Sequence, residues 1–226
     1  IYCEENLIFE DPYLSQIIAD KIGYYGAMVK DDAELIEQFK TIEELDLFKE
    51  MPSSIEGIQY LTNLKDLSLG MCYIDDISPL KELTNLERLD LDSTGITDIS
   101  AISGLTKLTF LSIGNNGNLS DISTLSNLTN LQELYMSSTI VSDISPLSNL
   151  TNLTHLYMDH IEQLADISAL SNLTNLTTLG IGCTNVSDIS VLNKLTKLES
   201  IWMTATKINN LNGISELKNL KELWIN

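Results

Sequence analysis

Cations are scarce in this sequence. Among its 226 residues, 13 Lys and Arg stand against 32 Asp and Glu, a formal charge of -19. Proteins that grip nucleic acid by its phosphates need clustered cations, so that partner class is excluded. Cysteine is equally rare, and Cys3, Cys72 and Cys183 are an odd number at wide spacing that defines neither a disulfide framework nor a zinc site. The two histidines, His155 and His160, lie in one segment with Asp159 between them, and no third ligand accompanies them, so no metal or cofactor is expected. Ser and Asp are plentiful but do not converge on a histidine, so no catalytic residues can be named and no enzymatic activity is expected. No apolar run approaches the length of a membrane span, and Ile1 to Glu10 is not a basic-then-apolar leader. The chain thus reads as soluble, and its start at Ile1 as that of a trimmed product. With 43% hydrophobic residues, there is material for a real core despite the charge.

What the sequence has in abundance is a period. Leu64, Leu86, Leu108, Leu131, Leu153, Leu176, Leu198 and Leu220 open near-copies of one segment, at spacings of 22 or 23 residues, and Ile42 opens one more. Eight full repeats and a truncated ninth result. Counting the opening residue as position 0, apolar side chains return at 0, 3, 5, 10, 13, 16 and 19, as in Leu64, Leu67, Leu69, Ile74, Ile77, Leu80 and Leu83. The L-x-x-L-x-L start has the alternation of a short strand, and the later spacing of three suits 3₁₀ turns. Seven inward side chains cannot be buried by one such unit, so neighbours must stack around a shared core. The two 23-residue repeats carry one extra residue in the bend, which delays Leu119 and Leu164 by one step. At position 12, Asp76, Asp98, Asp121, Asp143, Asp166, Asp188 and Asn210 precede the turns; capping of orphan N–H groups explains them better than a calcium ladder.

The string D-I-S-P-L-x-x-L-T-N-L at 76–86 and 143–153 resembles the leucine-rich repeats of the bacterial internalin family. Ile8-Phe9-Glu10-Asp11-Pro12 with Leu14 is similar to the start of the helical cap that precedes internalin repeats. The resemblance implies an α/β solenoid: a right-handed superhelix with a parallel sheet on its concave face, 3₁₀ turns on its convex face and a helical N-terminal cap. The cap is expected over residues 1–41 and the repeats over 42–226. The cap's own chemistry agrees. Asp11 can cap a helix with Pro12 at its first position, and Leu14, Ile17, Ile18 and Ile22 share a face. A second helix is expected from Asp31 or Asp32, with Glu34 placed for a capping box and Leu35, Ile36 and Phe39 inward. At the bend, position 8, the family's Asn is replaced by Cys72, Thr94, Thr139, Thr184 and Thr206, with only Asn116 retained, which predicts a looser bend. Cys72 reads there as a small buried hydrophobe.

On such a sheet, positions 2, 4 and 6 point outward. Of the eight aromatics after Ile42, six occupy those positions: Phe48, Phe110, Tyr135, Tyr157, Trp202 and Trp224. Tyr135 with Tyr157 and Trp202 with Trp224 are expected to form two patches, separated by a notch about 10 Å wide over Gly180 and Gly182. Exposed aromatics of this kind mark binding surfaces. The candidate binding residues are therefore Phe110, Tyr135, Tyr157, Trp202 and Trp224, flanked by Arg88, Asp90, Glu133, His155 and Asp159. The resemblance implies a monomeric recognition module, secreted or attached to a bacterial cell wall, that grips a protein such as a host surface receptor. A glycan-binding module, an intracellular scaffold similar to a phosphatase regulatory subunit, and the targeting arm of a larger enzyme are the alternatives.

Overall fold

The computed structural model describes residues 7–225; Cys3, the rest of the expected cap before Leu7, and Asn226 lie outside the described residues. Each L-x-L pair forms a three-residue strand: β1 (Glu44–Asp46), β2 (Asp66–Ser68), β3 (Arg88–Asp90), β4 (Phe110–Ser112), β5 (Glu133–Tyr135), β6 (His155–Tyr157), β7 (Thr178–Gly180), β8 (Ser200–Trp202) and β9 (Glu222–Trp224). They pair in parallel and in chain order as one sheet. The register aligns like positions, so Leu45, Leu67, Leu89 and Leu111 follow one another as direct partners. Short 3₁₀ turns, from Ile58–Tyr60 to Asn212–Ile214, return the chain behind the sheet. Between sheet and turns, Leu64, Leu67, Leu69, Ile74, Ile77, Leu80 and Leu83 are all buried, as are their counterparts through Leu198 and Ile201. Leu119 and Leu164, the delayed residues of the two longer repeats, are buried as well, and their carbonyls accept from Ile140 and Asn185 of the next repeat.

The bend after each strand departs from what the sequence signalled. Position 7 adopts a left-handed conformation in eight repeats, with φ from 53° to 64° at Lys49, Met71, Ser93, Asn115, Ser138, His160, Cys183 and Ala205. None of these is glycine, and such a conformation costs about 1–2 kcal/mol in an ordinary residue. Inter-repeat bonds offset it: Met71 N–H reaches the Asp92 carbonyl and Cys183 N–H the Thr204 carbonyl, each at 2.8 Å.

At position 8, Thr94, Thr139, Thr184 and Thr206 each close back on the carbonyl three residues earlier. Asn116 alone bridges repeats by its side-chain amide, which reaches the Leu91 carbonyl at 3.0 Å and accepts from Gly95 N–H at 2.8 Å. Cys72 is buried there, its thiol donating to the Leu47 carbonyl at 2.9 Å. The column that runs through the stack is instead made by the Asn of L-T-N-L. Asn63, Asn85, Asn130, Asn152, Asn175 and Asn219 each donate to a main-chain carbonyl of the preceding unit at 2.8–2.9 Å. Where Lys107 and Lys197 replace it, their ammonium groups reach Asn85 and Asn175 instead. The position-12 aspartates accept from the N–H of the first residue of each 3₁₀ turn, as Asp143 does from Ser145 at 2.8 Å.

Two helices cover the first repeat. In α1 (Pro12–Ile22), Leu14, Ile18 and Ala19 are buried, whereas Ile17 and Ile22 pack only at the edge of the core. In α2 (Ala33–Phe39) the cap is Asp32, which accepts from Leu35 N–H at 3.0 Å; Glu34 therefore falls one position short of a capping-box partner. Asp11 ties cap to repeat. One of its oxygens accepts from Leu14 N–H at 2.7 Å, the other from Ser53 N–H and hydroxyl at 2.8 and 2.6 Å. Gly57 admits the close approach on the other side, at φ 105°, where a Cβ would meet the Ile8 carbonyl oxygen at 2.5 Å.

Two outcomes follow for stability. Asn116→Ala, which strands buried carbonyls and the Gly95 N–H, is expected to cost about 3 kcal/mol in denaturant unfolding, against about 1 for Thr139→Ala. Burial pushes the Asp11 carboxyl up, but its bonds from Ser53, Leu14 and Tyr13 outweigh that and hold it below its ordinary 3.8. Its contribution is therefore complete above that value and lost as pH falls through the lower folded value. Asp11→Asn is expected to cost about 1–2 kcal/mol near neutrality, the gap to the parent narrowing below about pH 4.

Candidate functional site

Strand alternation leaves positions 2, 4 and 6 of nine adjacent strands on one open sheet face. Tyr135 of β5 and Tyr157 of β6 are register partners, and their rings stack with centroids 4.8 Å apart at 11°. Phe110 of β4 leans on Tyr135 at 5.4 Å and 41°. The guanidinium of Arg88 lies over the other face of that row's end, 4.0 Å from the Phe110 centroid, and its Nε is 3.4 Å from Asp66 Oδ2. At the far end Tyr157 stacks on Trp202 at 5.5 Å and 21°.

That last contact corrects the expected pair of patches. Tyr157 and Trp202 stand on β6 and β8, two strands and about 9.6 Å apart. They meet because β7 carries Gly180 between them. The rings meet across that strand, and the notch closes. Gly180 and Gly182 are buried, and the Asp159 carboxylate lies across them, accepting from Gly182 N–H at 2.8 Å. A Cβ on Gly180 would fall 2.3 Å from Asp159 Oδ2. Among the described residues Trp202 takes Tyr157 as its ring partner rather than Trp224, which is 58% exposed on β9.

Acidic groups line the row. The Tyr135 hydroxyl donates to Glu133 Oε2 at 3.1 Å; burial first, then Glu133, push that phenol up to about 12. Burial, Glu133 and Asp159 likewise raise Tyr157. Both phenols are thus protonated donors throughout the neutral range. Burial raises the Asp159 carboxyl, against the pull of the Gly182 N–H. His155 is half-buried beside the row, with Nδ1 2.9 Å from the Thr154 hydroxyl. Asp90 sits apart on β3, half-buried; burial foremost, and the charges of Asp92 and Asp46, raise its carboxyl.

Of the ten candidates, then, the structure gathers Arg88, Phe110, Glu133, Tyr135, Tyr157, Asp159 and Trp202 into one continuous band, with His155 and Asp90 beside it and Trp224 beyond one end. Asp66, which holds Arg88, and Gly180, which lets the rings meet, belong to the band without having been singled out for those roles. Among the described residues no group of His, Cys, Asp and Glu could hold a metal ion, and no helix is long and apolar enough to cross a membrane.

The family described as "Leucine-rich repeat region" matches residues 28–183. Internalin C2 of Listeria monocytogenes is 32% identical, with a TM-score of 0.90 over 97% of this chain and 95% of that one. An internalin, inlF, of the same organism is 30% identical, covering 96% of this chain and 76% of its own, at a TM-score of 0.62. A leucine-rich repeat protein of Leptospira interrogans, 21% identical over 86% of this chain and 57% of its own at a TM-score of 0.65, shares the fold. No curated protein matches the sequence. The match over most of the repeats, together with the agreement in fold and sequence with internalin C2 along nearly the whole chain, places this protein in the leucine-rich repeat family as an internalin-like bacterial member.

Proposed function

We propose that this internalin-like fold, the fold of a protein-interaction module, acts as a non-catalytic receptor-binding protein. Its concave sheet face would hold a protein partner against the band from Phe110 to Trp202. The chain would work as a monomer, secreted or attached to the bacterial wall, with a host surface protein as partner. The observation that carries this reading is the unbroken ring stack on an open sheet face. Tyr and Trp at the centre of a face rimmed by charged groups is the composition of a binding hot spot.

Ring geometry favours protein over glycan. A sugar stacks on an open aromatic face, but here Tyr135 and Tyr157 cover each other and Arg88 covers Phe110. With these ring faces taken up, the half-buried row and the acids beside it offer a mixed apolar and polar surface, which suits the side chains of a protein partner. The net charge of -19 favours a basic partner, drawn in by long-range attraction that weakens with salt.

Screening host receptor ectodomains by surface plasmon resonance is the test. A binder is expected whose affinity falls more than about 100-fold with Tyr157→Ala plus Trp202→Ala, while the circular-dichroism melt stays put. A binder indifferent to that double substitution, or binding on a glycan array in place of any protein, would contradict the reading. Gly180→Ala gives a finer check. By displacing Asp159 and wedging Tyr157 from Trp202, it is expected to weaken the same binder about tenfold and to reduce the near-ultraviolet dichroism of the stacked rings.

A further inference from the structure

The same sheet face changes character along its length, and the change identifies the partner's chemistry more closely. From β4 to β8 the outward positions carry the ring stack. From β1 to β3 they carry Glu44, Asp46, Asp66, Asp90 and Asp92, interrupted by Phe48, Ser68, Gly70 and the cation Arg88. A depression of about 270 Å³ opens there, lined by Glu44, Leu45, Asp46, Asp66 and Ser68. Arg88 is turned toward Phe110 and Asp66. Lys49 lies over the Phe48 ring, 4.9 Å from its centroid, and Lys65 is paired with Glu43 at 2.8 Å. No ion pair to Asp46, Asp90 or Asp92 is formed among the described residues.

These carboxylates are held in place. Asp90 Oδ1 accepts from Asp92 N–H at 3.0 Å, Asp46 Oδ1 accepts from Phe48 N–H at 2.9 Å, and Asp92 accepts from the Asn115 amide at 3.0 Å. Asp90 Oδ2 and the Phe48 ring share the space over Gly70, 3.0 and 2.8 Å from where a Cβ would be, which glycine leaves free for them. Asp90 and Asp92 are each half-buried, so part of their hydration is already stripped by folding. An incoming guanidinium would meet preorganised, partly dehydrated acceptors and supply the counter-charge that this end of the face lacks. Arg88 shows how this face treats a guanidinium, one side on an aromatic ring and one edge on a carboxylate. Phe48, 42% exposed with its ring over Gly70, offers the same combination next to Asp46 and Asp90.

We propose that the partner bound by the concave face docks with a fixed polarity, its apolar ridge on β4–β8 and an arginine-bearing basic segment on the β1–β3 end, against Asp46, Asp90 and Asp92. This rests on the concave-face reading above. Arginine suits the place better than lysine because its planar fork can meet two carboxylate oxygens at once and stack on Phe48.

The probe is a capped Gly-Arg-Gly-Arg-Gly peptide, titrated into the isotopically labelled chain and followed by amide chemical shifts. Saturable shifts are expected at Asp46, Ser68, Gly70, Asp90 and Asp92, weaker with a capped Gly-Lys-Gly-Lys-Gly peptide and absent with a capped Gly-Glu-Gly-Glu-Gly peptide. Asp90→Asn with Asp92→Asn, or Asp46→Asn alone, is expected to raise the peptide Kd at least about fivefold, an electrostatic loss of the size of one charge-assisted contact. Asp76→Asn with Asp98→Asn, on the turn side, is expected to leave it unchanged. Tyr157→Ala with Trp202→Ala is also expected to leave it unchanged, which separates this proposal from the wider reading. Shifts spread over the turn-side aspartates, or a Kd indifferent to Asp46, Asp90 and Asp92, would overturn it. A receptor lost with Trp202→Ala but not with the Asp90 and Asp92 changes would overturn the polarity and leave the concave-face reading standing.

Discussion

Burial of seven apolar side chains in every unit is possible only against the unit before and the unit after, and that shared burial is what the rest of the molecule depends on. A strand of three residues with one tight turn has no interior of its own. Stacked in register, like positions fall on like positions, and leucine follows leucine through a core that continues from the cap to the last strands. The same register makes the polar columns. The Asn of each L-T-N-L can reach back one unit because the strands stay in register, even across the two 23-residue repeats. The left-handed bends at residues such as Met71 and Cys183 persist for the same reason, since packing and inter-repeat bonds over-determine them.

Register also sets what the open face can present. Once position 3 is committed to the core, positions 2 and 4 have nowhere to go but outward, and side chains on adjacent strands come within contact distance whatever they are. Tyr135 and Tyr157 meet by this rule alone. Tyr157 and Trp202 meet by an exception to it, because a glycine on the intervening strand lets two rings bend toward each other. The outcome is a strip of half-buried rings packed on one another, with acids beside it and along one end.

Much of this was legible in the sequence, and the limits have physical causes. The period, the strand and turn of each unit and the outward aromatics all follow from spacing, because a solenoid is decided by nearest neighbours. The bend was harder. Sequence comparison directs attention to position 8, yet the threonines there close locally, and the continuous column comes from Asn63, Asn85 and their counterparts at the start of each strand, whose role depends on the carbonyl of a residue one unit earlier. The left-handed residues at position 7 carry no glycine to announce them. The notch over Gly180 was a correct reading of the backbone and a wrong reading of the side chains, since the Asp159 carboxylate takes the space over the glycines and Tyr157 meets Trp202 across it. In the cap, the burial of Ala19 in place of Ile22 reflects how α1 rotates onto the first repeat, which Gly57 and Asp11 fix and helical periodicity alone does not.

The claim at the centre is that leucines hold the interior while the aromatic rings pack on one another outside it. Nuclear Overhauser contacts from the ring protons of Tyr135, Tyr157 and Trp202 measure this directly. The structure requires ring-to-ring contacts between Tyr135 and Tyr157 and between Tyr157 and Trp202, with strong relaxation of all three by a soluble paramagnetic probe. Contacts from these rings to the methyls of Leu134, Leu156 and Ile201 in place of one another, with no relaxation by the probe, would contradict it.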